Sequence, residues 1–528
     1  MSAQVTSVDL QMQLSGSGWL LGETGFSEVG DSTYVGSSWT SITDVVITNG
    51  LELTYGILGS GPADRVASTG TMTFALDNSE SNSAGLLGYY SPNNANLRSG
   101  FELGIGVRLA ITYGGTTYYK WRGFLTSIEP MGGVKRDRLT HCVAVDYMDD
   151  AASALLSQVA LQIDKRSDEV FTAVYEDLAR PAADTSIGVG ESTFAYALDN
   201  VQDESTPVLS AFQTIAASEV GFIYVKGDTV QGGTLVFEGR NVRQASASSA
   251  TLSNDMLEMT ATRSVKELLN RVNVTTYPRE VDANATTVLY ILANTNTTVA
   301  AGATLTIDAA YTDPDQKASR VGGTAMVTPV ATTDFTMNTL ADGTGTNLTA
   351  SFTVTPIFGG NSAKLTIVNG SASSGFITFL RLRGKGIYTY DQTISTSQDL
   401  DSQYLYGINT LSYDMPYEDT LTVGQSAADY FKYVYKSPLT YLRDLTFDAN
   451  GSSTLMSYAL AREISDRITV SETVTGLSAD YFINGISLSI GANDQIQATW
   501  TLSPSARSIW LLGTAGSSEI GSTTVLGF

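Results

Sequence analysis

The sequence predicts a mainly β protein with an α/β portion, in which two related strand-rich units bracket the middle of the chain and a β-sandwich is inserted into the second. Three observations predict this class. Charged residues make up only 16% of the 528 residues, well below the roughly 25% of an average soluble chain, and Ser, Thr, Asn, Gly and Tyr take their place, a composition of strands and turns. The hydrophobic residues, 42% of the chain, mostly alternate with polar ones at period two. Helical spacing is confined to one block beginning near residue 147 and two short stretches near 430 and 455. At roughly 150 residues per domain, the length predicts about three or four domains.

The first strand-rich unit spans 41–146. TSITDVVITNGLELTYGI carries dense β-branched residues around an Asn-Gly pair, which predicts a hairpin. GTMTFALDNS places Met72, Phe74 and Leu76 on one strand face. RLAITYGGTTYYKWRGFLTSIEP reads as two strands joined at Gly114-Gly115, and RLTHCVAVDY alternates as a further strand. Several short strands with turns between them predict a small antiparallel barrel or sandwich.

The period then changes, and 147–263 reads as an α/β unit. In DYMDDAASALLSQVALQ, Met148, Ala152, Leu155, Leu156 and Val159 recur at helical spacing, with Asp149 and Asp150 in the first turn where the helix dipole favours acids. DEVFTAVYEDLARP predicts a second helix with a Val170, Val174, Leu178 stripe, ended by Pro181. ESTPVLSAFQTIAASEVG predicts a third, with Ser205 or Thr206 to cap it, Pro207 in its first turn and Gly221 to close it. GFIYVKGDTVQGGTLVFEGR returns to strands as an alternating hairpin.

The second strand-rich unit is split between 264–285 and 399–505. ELLNRVNVTTYPRE opens it, and from 286 to 398 the composition shifts to Thr, Ala, Gly and Asn in a run of period-two segments, the expected inserted β-sandwich. Within the second part, SAADYFKYVYKS and STLMSYALAREIS predict helices, while RDLTFDA, DRITVSETV, DYFINGISLSI and DQIQATWTLSP predict strands, the last two joined by a turn at Gly491–Asp494.

Catalysis needs a constellation of residues, and none is legible. His141 is the single histidine, which excludes HExxH and His-rich metal sites, and no GxSxG elbow, phosphate-binding GxxxxGK[ST] loop or GxGxxG fingerprint is present. Cys142 is the single cysteine, so no intramolecular disulfide can form, and its strand-like surroundings read as core. Asp149/Asp150 and Asp313/Asp315 are paired carboxylates, but in a chain with 53 acids such pairs arise by chance. The Tyr89-Tyr90 and Tyr118-Tyr119 pairs read as half-buried strand faces. We therefore expect no enzyme activity, no cofactor and no metal. The net charge of −23 comes without any Lys/Arg run, which argues against sequence-specific nucleic-acid binding. No apolar run approaches a membrane span, and the first residues lack the features of a signal peptide. The expectation is a soluble protein made in a cytoplasm.

Several segments together carry a resemblance. Leu76-Asp77-Asn78 ends a strand, Pro92 and the turn Asn96-Leu97-Arg98-Ser99-Gly100 follow, and Gly123-Phe124 lies in a later strand. In this order they resemble the first barrel of tail hub proteins of long-tailed, siphovirus-type phages, often called minor tail proteins, with a baseplate-hub-like fold. Residues 459–490 and Asn270–Val274 are similar to the last barrel of the same group. The resemblance implies two related hub-type β-barrels with an α/β portion between them. It also implies a homotrimer at the tail tip of the virion, in which three chains present six similar units to a six-fold tail tube and line the DNA exit channel. Its implied partners are the tail tube or distal tail protein and a central fibre or other tip proteins. The insert departs from a minimal hub, and the alternative it raises is a host-surface adhesin that binds a glycan or protein.

The two ends, 1–40 and 506–528, fall outside both barrels, yet they repeat each other. WLLGETGFSEVGDSTYVG from Trp19 aligns without gaps to WLLGTAGSSEIGSTTVLGF from Trp510. Trp19, Leu20, Leu21 and Gly22, with Trp510, Leu511, Leu512 and Gly513, are therefore the expected assembly-interface residues, docking by strand addition on repeated receptor sites.

Overall fold

The structure is a computed structural model, and it describes residues 3–14, 39–133, 137–178, 180–201, 204–294, 297–389, 392–438 and 440–505. The mainly β class with its α/β portion is what it shows. Among the described residues, thirteen strands form one sheet. Its first half runs Leu51–Gly56, Ser68–Asp77, Leu139–Val145, Thr116–Pro130, Gly106–Tyr113 and Ser7–Met12, each antiparallel to the next. Its second half runs Leu477–Gly491, Gln495–Pro504, Tyr441–Asp448 and Glu258–Thr262, with Arg467–Glu472 and Ser248–Ser253 branching from the first of these. The two halves meet where Leu51–Gly56 pairs with Leu477–Gly491, Leu53 facing Leu488 and Tyr55 facing Ile486.

Period two explains the burial. Met72, Phe74 and Leu76 are all inside, as the alternation of GTMTFALDNS requires. Gly114 and Gly115 both take positive φ, 59° and 85°, in the two-residue turn between Gly106–Tyr113 and Thr116–Pro130. Such a turn needs two residues that tolerate the left-handed region, and its twist matches that of the flanking strands. The Asn49-Gly50 hairpin, by contrast, does not form. Ile47–Asn49 is a short 3-10 turn whose Ile47 carbonyl accepts from the Gly50 amide. The preceding residues pair piecemeal with other strands, the Val46 amide with the Ala75 carbonyl and the Ile42 amide with Leu10.

The α/β portion holds the helices Tyr147–Ser153, Ser167–Glu176 and Val208–Glu219. The first is shorter than its apolar spacing suggests. It stops at Ala154, which is extended, because Leu155 forms a bridge to Pro207 and the Leu156 amide reaches the Thr206 carbonyl. Pairing with another segment thus wins over continued helix, and Leu155 ends half exposed. The second helix buries Val170 and Val174 and ends before Pro181; the third begins after Pro207, which stands at its N-cap. The third closes on Val220 at φ 58°, with the Gly221 amide returning to the Ala216 carbonyl, so a valine and not the expected Gly221 takes the left-handed conformation that a helix end usually gives to glycine. All three pack on the hairpin Phe222–Lys226/Thr234–Glu238 and share its core with the large sheet.

Two further bodies follow among the described residues. Arg271–Thr276 lies between Thr393–Gln398 and Thr410–Met415 in a small sheet covered by helix Leu421–Tyr435, with its own core around Val272, Val274 and Phe431. Strands between Thr287 and Thr389 build the insert: Gly375–Thr389 and the four of them that pair with it face a second sheet of Thr304–Ala310, Ser362–Asn369 and Phe352–Phe358. Leu289, Tyr311, Leu365 and Leu380 lie in a core separate from the rest. Arg279–Val281 pairs with Ile387–Thr389, so the strands leading into and out of the insert are hydrogen-bonded neighbours.

Asp146 caps the first helix and is nearly inaccessible, accepting from the Met148 amide at 3.0 Å. Burial pushes its carboxyl up to about 7 from 3.8. Because the folded state holds this proton more tightly than the unfolded one, the Asp146 contribution is largest below 3.8 and declines as pH rises to about 7, at about 1.4 kcal/mol per pH unit in that window. Glu418, pushed up to about 7 mainly by burial, adds a parallel decline. Asp146→Asn removes one of the two. Urea unfolding between pH 4.5 and 7 is expected to show the variant gaining stability on the natural chain as pH rises.

Candidate functional site

The motif residues of the first unit build one loop. Where Ser68–Asp77 ends, Asn78 is buried and takes over the pairing: its Oδ1 accepts from the Tyr90 amide, its Nδ2 donates to Ser91 Oγ, and its carbonyl accepts from Gly88, all within 3.0 Å. Asp77 accepts from the Ser79 amide and hydroxyl, an Asx-type turn. Buried Asp44 reaches over from the preceding segment to accept from the Ser83 amide, the Ser83 hydroxyl and the Tyr90 hydroxyl, the last at 2.6 Å. Arg98 donates to that same Tyr90 oxygen at 2.7 Å, and its guanidinium lies over the Tyr89 and Tyr90 rings. Gly100 has φ 78°, and a Cβ there would sit 1.8 Å from the Leu14 carbonyl oxygen. The Leu-Asp-Asn and Asn-Leu-Arg-Ser-Gly elements are thus two ends of one hydrogen-bonded platform, and Leu86, Leu87 and Leu103 stand exposed on it.

A second feature lies at the junction of four parts of the chain. A cavity of about 50 Å³ is lined by the Gly61–Arg65 turn, Phe222, Arg240 to Gln244, helix Leu421–Tyr435, and the strand residues Phe482 and Asn484. Three arginines converge on it. Arg65 donates to the carbonyls of Pro62 at 3.0 Å and Val220 at 2.8 Å. Arg243, 3% exposed, donates from Nη1 to Asn484 Oδ1 at 2.7 Å. Arg240 lies 3.8 Å from the fully buried Glu219. The guanidiniums of Arg65 and Arg243 both sit on the Phe222 ring, at 4.7 and 3.5 Å from its centroid. Burial and the neighbouring Arg65 charge lower the Arg243 pKa, and Glu238 opposes them. Three hydrogen-bond donors and an aromatic plane can hold a small anion; they supply neither a nucleophile nor a general base.

The remaining sequence candidates fall apart in space. Cys142 is buried, and burial pushes its thiol up to about 12. His141 sits opposite Ala75 and Glu129 in the sheet. Asp150 pairs with Arg180, and Asp313 accepts from the Asp315 amide in a turn. Among the described residues no three metal-ligating side chains gather, and no helix is long and apolar enough to cross a membrane. Trp19, Leu20, Leu21, Gly22, Trp510, Leu511, Leu512 and Gly513 lie outside the described residues. The sequence reading missed Arg65, Arg240, Arg243 and Gln244. Only Arg240 and Arg243, three apart in EGRNVRQ, leave a local trace, and Arg65 leaves none.

No family model matches the chain, and no curated protein is similar to it in sequence. In shape it is similar to the 43 kDa tail protein of prophage MuSo2 from Shewanella oneidensis, with TM-score 0.46, 9% identity and coverage of 94% of this chain and 97% of that one. It is also similar to the tail protein from Neisseria meningitidis MC58, with TM-score 0.45, 10% identity and coverage of 94% and 95%. A third likeness is to prophage tail protein gp18 from Listeria monocytogenes EGD-e, with TM-score 0.39, 8% identity and coverage of 88% and 91%.

Two substitutions test the platform. Gly100→Ala combines a left-handed φ with a backbone clash and is expected to cost at least about 2 kcal/mol. Tyr90→Phe leaves Asp44 and Arg98 short of a shared partner and is expected to cost about 1–3 kcal/mol. Denaturant midpoints of the two variants give both values.

Proposed function

We propose that the chain is a structural, non-catalytic component of a phage virion: a trimeric hub at the tail tip that joins the six-fold tail tube to a three-fold tip or central fibre and lines the channel through which DNA leaves. The observation that carries this reading is the seam between Leu51–Gly56 and Leu477–Gly491, which fuses two strand-rich units side by side in one polypeptide. Three such chains present six units, which is what a three-fold ring needs to dock on a six-fold tube. The motif order that resembles tail hubs supports it further, since those residues hold a single loop. A net charge of −23 suits a conduit that must release DNA, because like charge does not retain the phosphate backbone.

The separate core of the insert and its paired two-strand stalk favour a second reading, in which the insert is a host-surface adhesin that takes a glycan or protein. Light scattering of the purified chain, with negative-stain images beside it, is expected to give three times the 56.1 kDa chain mass and a three-fold ring. A monomer that stays monomeric when mixed with purified tail tubes overturns the hub. Deleting 282–386 is expected to leave the ring intact, and loss of host-cell binding in that variant alone would assign the adhesin role to the insert.

A further inference from the structure

The cavity at the four-way junction holds more donor capacity than its own residues use. Arg243 is almost wholly buried, yet its Nε and Nη2 make no hydrogen bond. Glu238 forms an ion pair with Arg243 at 3.6 Å from Nε, beyond hydrogen-bond length. Its two oxygens are engaged elsewhere, by the Tyr224 and Ser465 hydroxyls. Arg65 is also buried and is anchored by two backbone carbonyls, and it forms no ion pair among the described residues. Two guanidiniums therefore share one face-lined space over Phe222 and repel each other there. A buried donor without an acceptor is costly, the more so when charged, and an oxyanion that bridges them removes both the deficit and the repulsion.

We propose that this cavity is a binding site for a small tetrahedral oxyanion of the phosphate or sulfate class. Its donors are Arg243 and Arg65, with Arg240 beside them. Gln244 adds a neutral contact. Its Nε2 donates to the Tyr430 hydroxyl at 3.1 Å and its Oε1 has no partner. Turned over, the same amide accepts from Tyr430 and offers its NH₂ to the cavity. The space matches the ligand: about 50 Å³ exceeds the roughly 10–15 Å³ that one water requires and admits a group of a few heavy atoms. The carboxylates around it, Glu219, Glu238 and Asp64 at the rim, either hold hydrogen bonds of their own or lie at its edge. Selectivity follows from the donors. Planar guanidinium forks suit oxyanions with several acceptor oxygens and discriminate against chloride.

The test uses the full chain. Calorimetric titration with inorganic phosphate, sulfate or acetate, each against chloride at matched ionic strength, is expected to give saturable heat and a saturable rise in Tm with phosphate and sulfate. An equal response to acetate would place the ligand among carboxylates and overturn the tetrahedral assignment. Arg243→Lys keeps the charge but loses the fork, and a loss of about tenfold or more in phosphate affinity is expected. Gln244→Glu puts a carboxylate into the cavity as a built-in ligand. It is expected to raise Tm in chloride and to abolish the phosphate response. Identical behaviour in phosphate and chloride, or an undiminished phosphate response in Gln244→Glu, overturns the proposal and leaves a water-filled cavity.

Discussion

The molecule depends on one buried ion pair, Lys120 with Glu463. Lys120 is 1% exposed and lies on Thr116–Pro130 in the first half of the sheet; Glu463 follows helix Ser453–Ala461 in the second. The ammonium also donates to the carbonyls of Leu460 and Arg462. The carboxylate also accepts from the Tyr55 hydroxyl at the seam and from the Gly227 amide in the α/β hairpin. A charge taken out of water is tolerated only where its partners are all present. Both charges find theirs only when the two halves and the hairpin stand in one arrangement. The pair thereby selects this register over others, whatever it adds to net stability.

The seam carries that selection onward to the cavity. Gly56, at φ 105°, lets its strand approach until a Cβ would touch the Asn484 carbonyl at 2.6 Å. Asn484 in turn donates to the Gly59 carbonyl and accepts from Arg243 and Ser503. One asparagine thus reads the position of the first half, the second half and the arginine cluster together. The seam between the two halves and the arginine cavity thus share one residue.

Local signals were legible, and distant ones were not. The strand faces of GTMTFALDNS and the Gly114-Gly115 turn follow from side-chain alternation and positive φ, which a few neighbouring residues dictate. The proline at the start of the third helix was legible too, but Pro207 rather than Ser205 or Thr206 stands at the cap, and Val220 rather than Gly221 takes the left-handed turn at its end. The Asn49-Gly50 pair carried an equally strong local signal and lost to pairing with Leu10 and Ala75, and the first helix lost its last turns to Pro207. The continuity of the sheet across Leu53 and Leu488 has no local signature, since the two strands lie more than four hundred residues apart. The arginine cavity is the extreme case. Arg65, Phe222, Arg243, Tyr430 and Asn484 come from segments that only the finished fold brings together.

The seam also sets a timetable. Leu51–Gly56 and its partner strand Leu477–Gly491 lie more than four hundred residues apart in the chain. At a synthesis rate of about 5–20 residues per second, the earlier strand waits roughly 20–90 seconds for its partner to be made. During that time it presents an apolar, unpaired edge, the kind of surface on which strands from other chains add. Contacts so distant in sequence also slow the search itself. For this protein, the hazardous moment comes on the ribosome, with half a sheet finished and its neighbour not yet written.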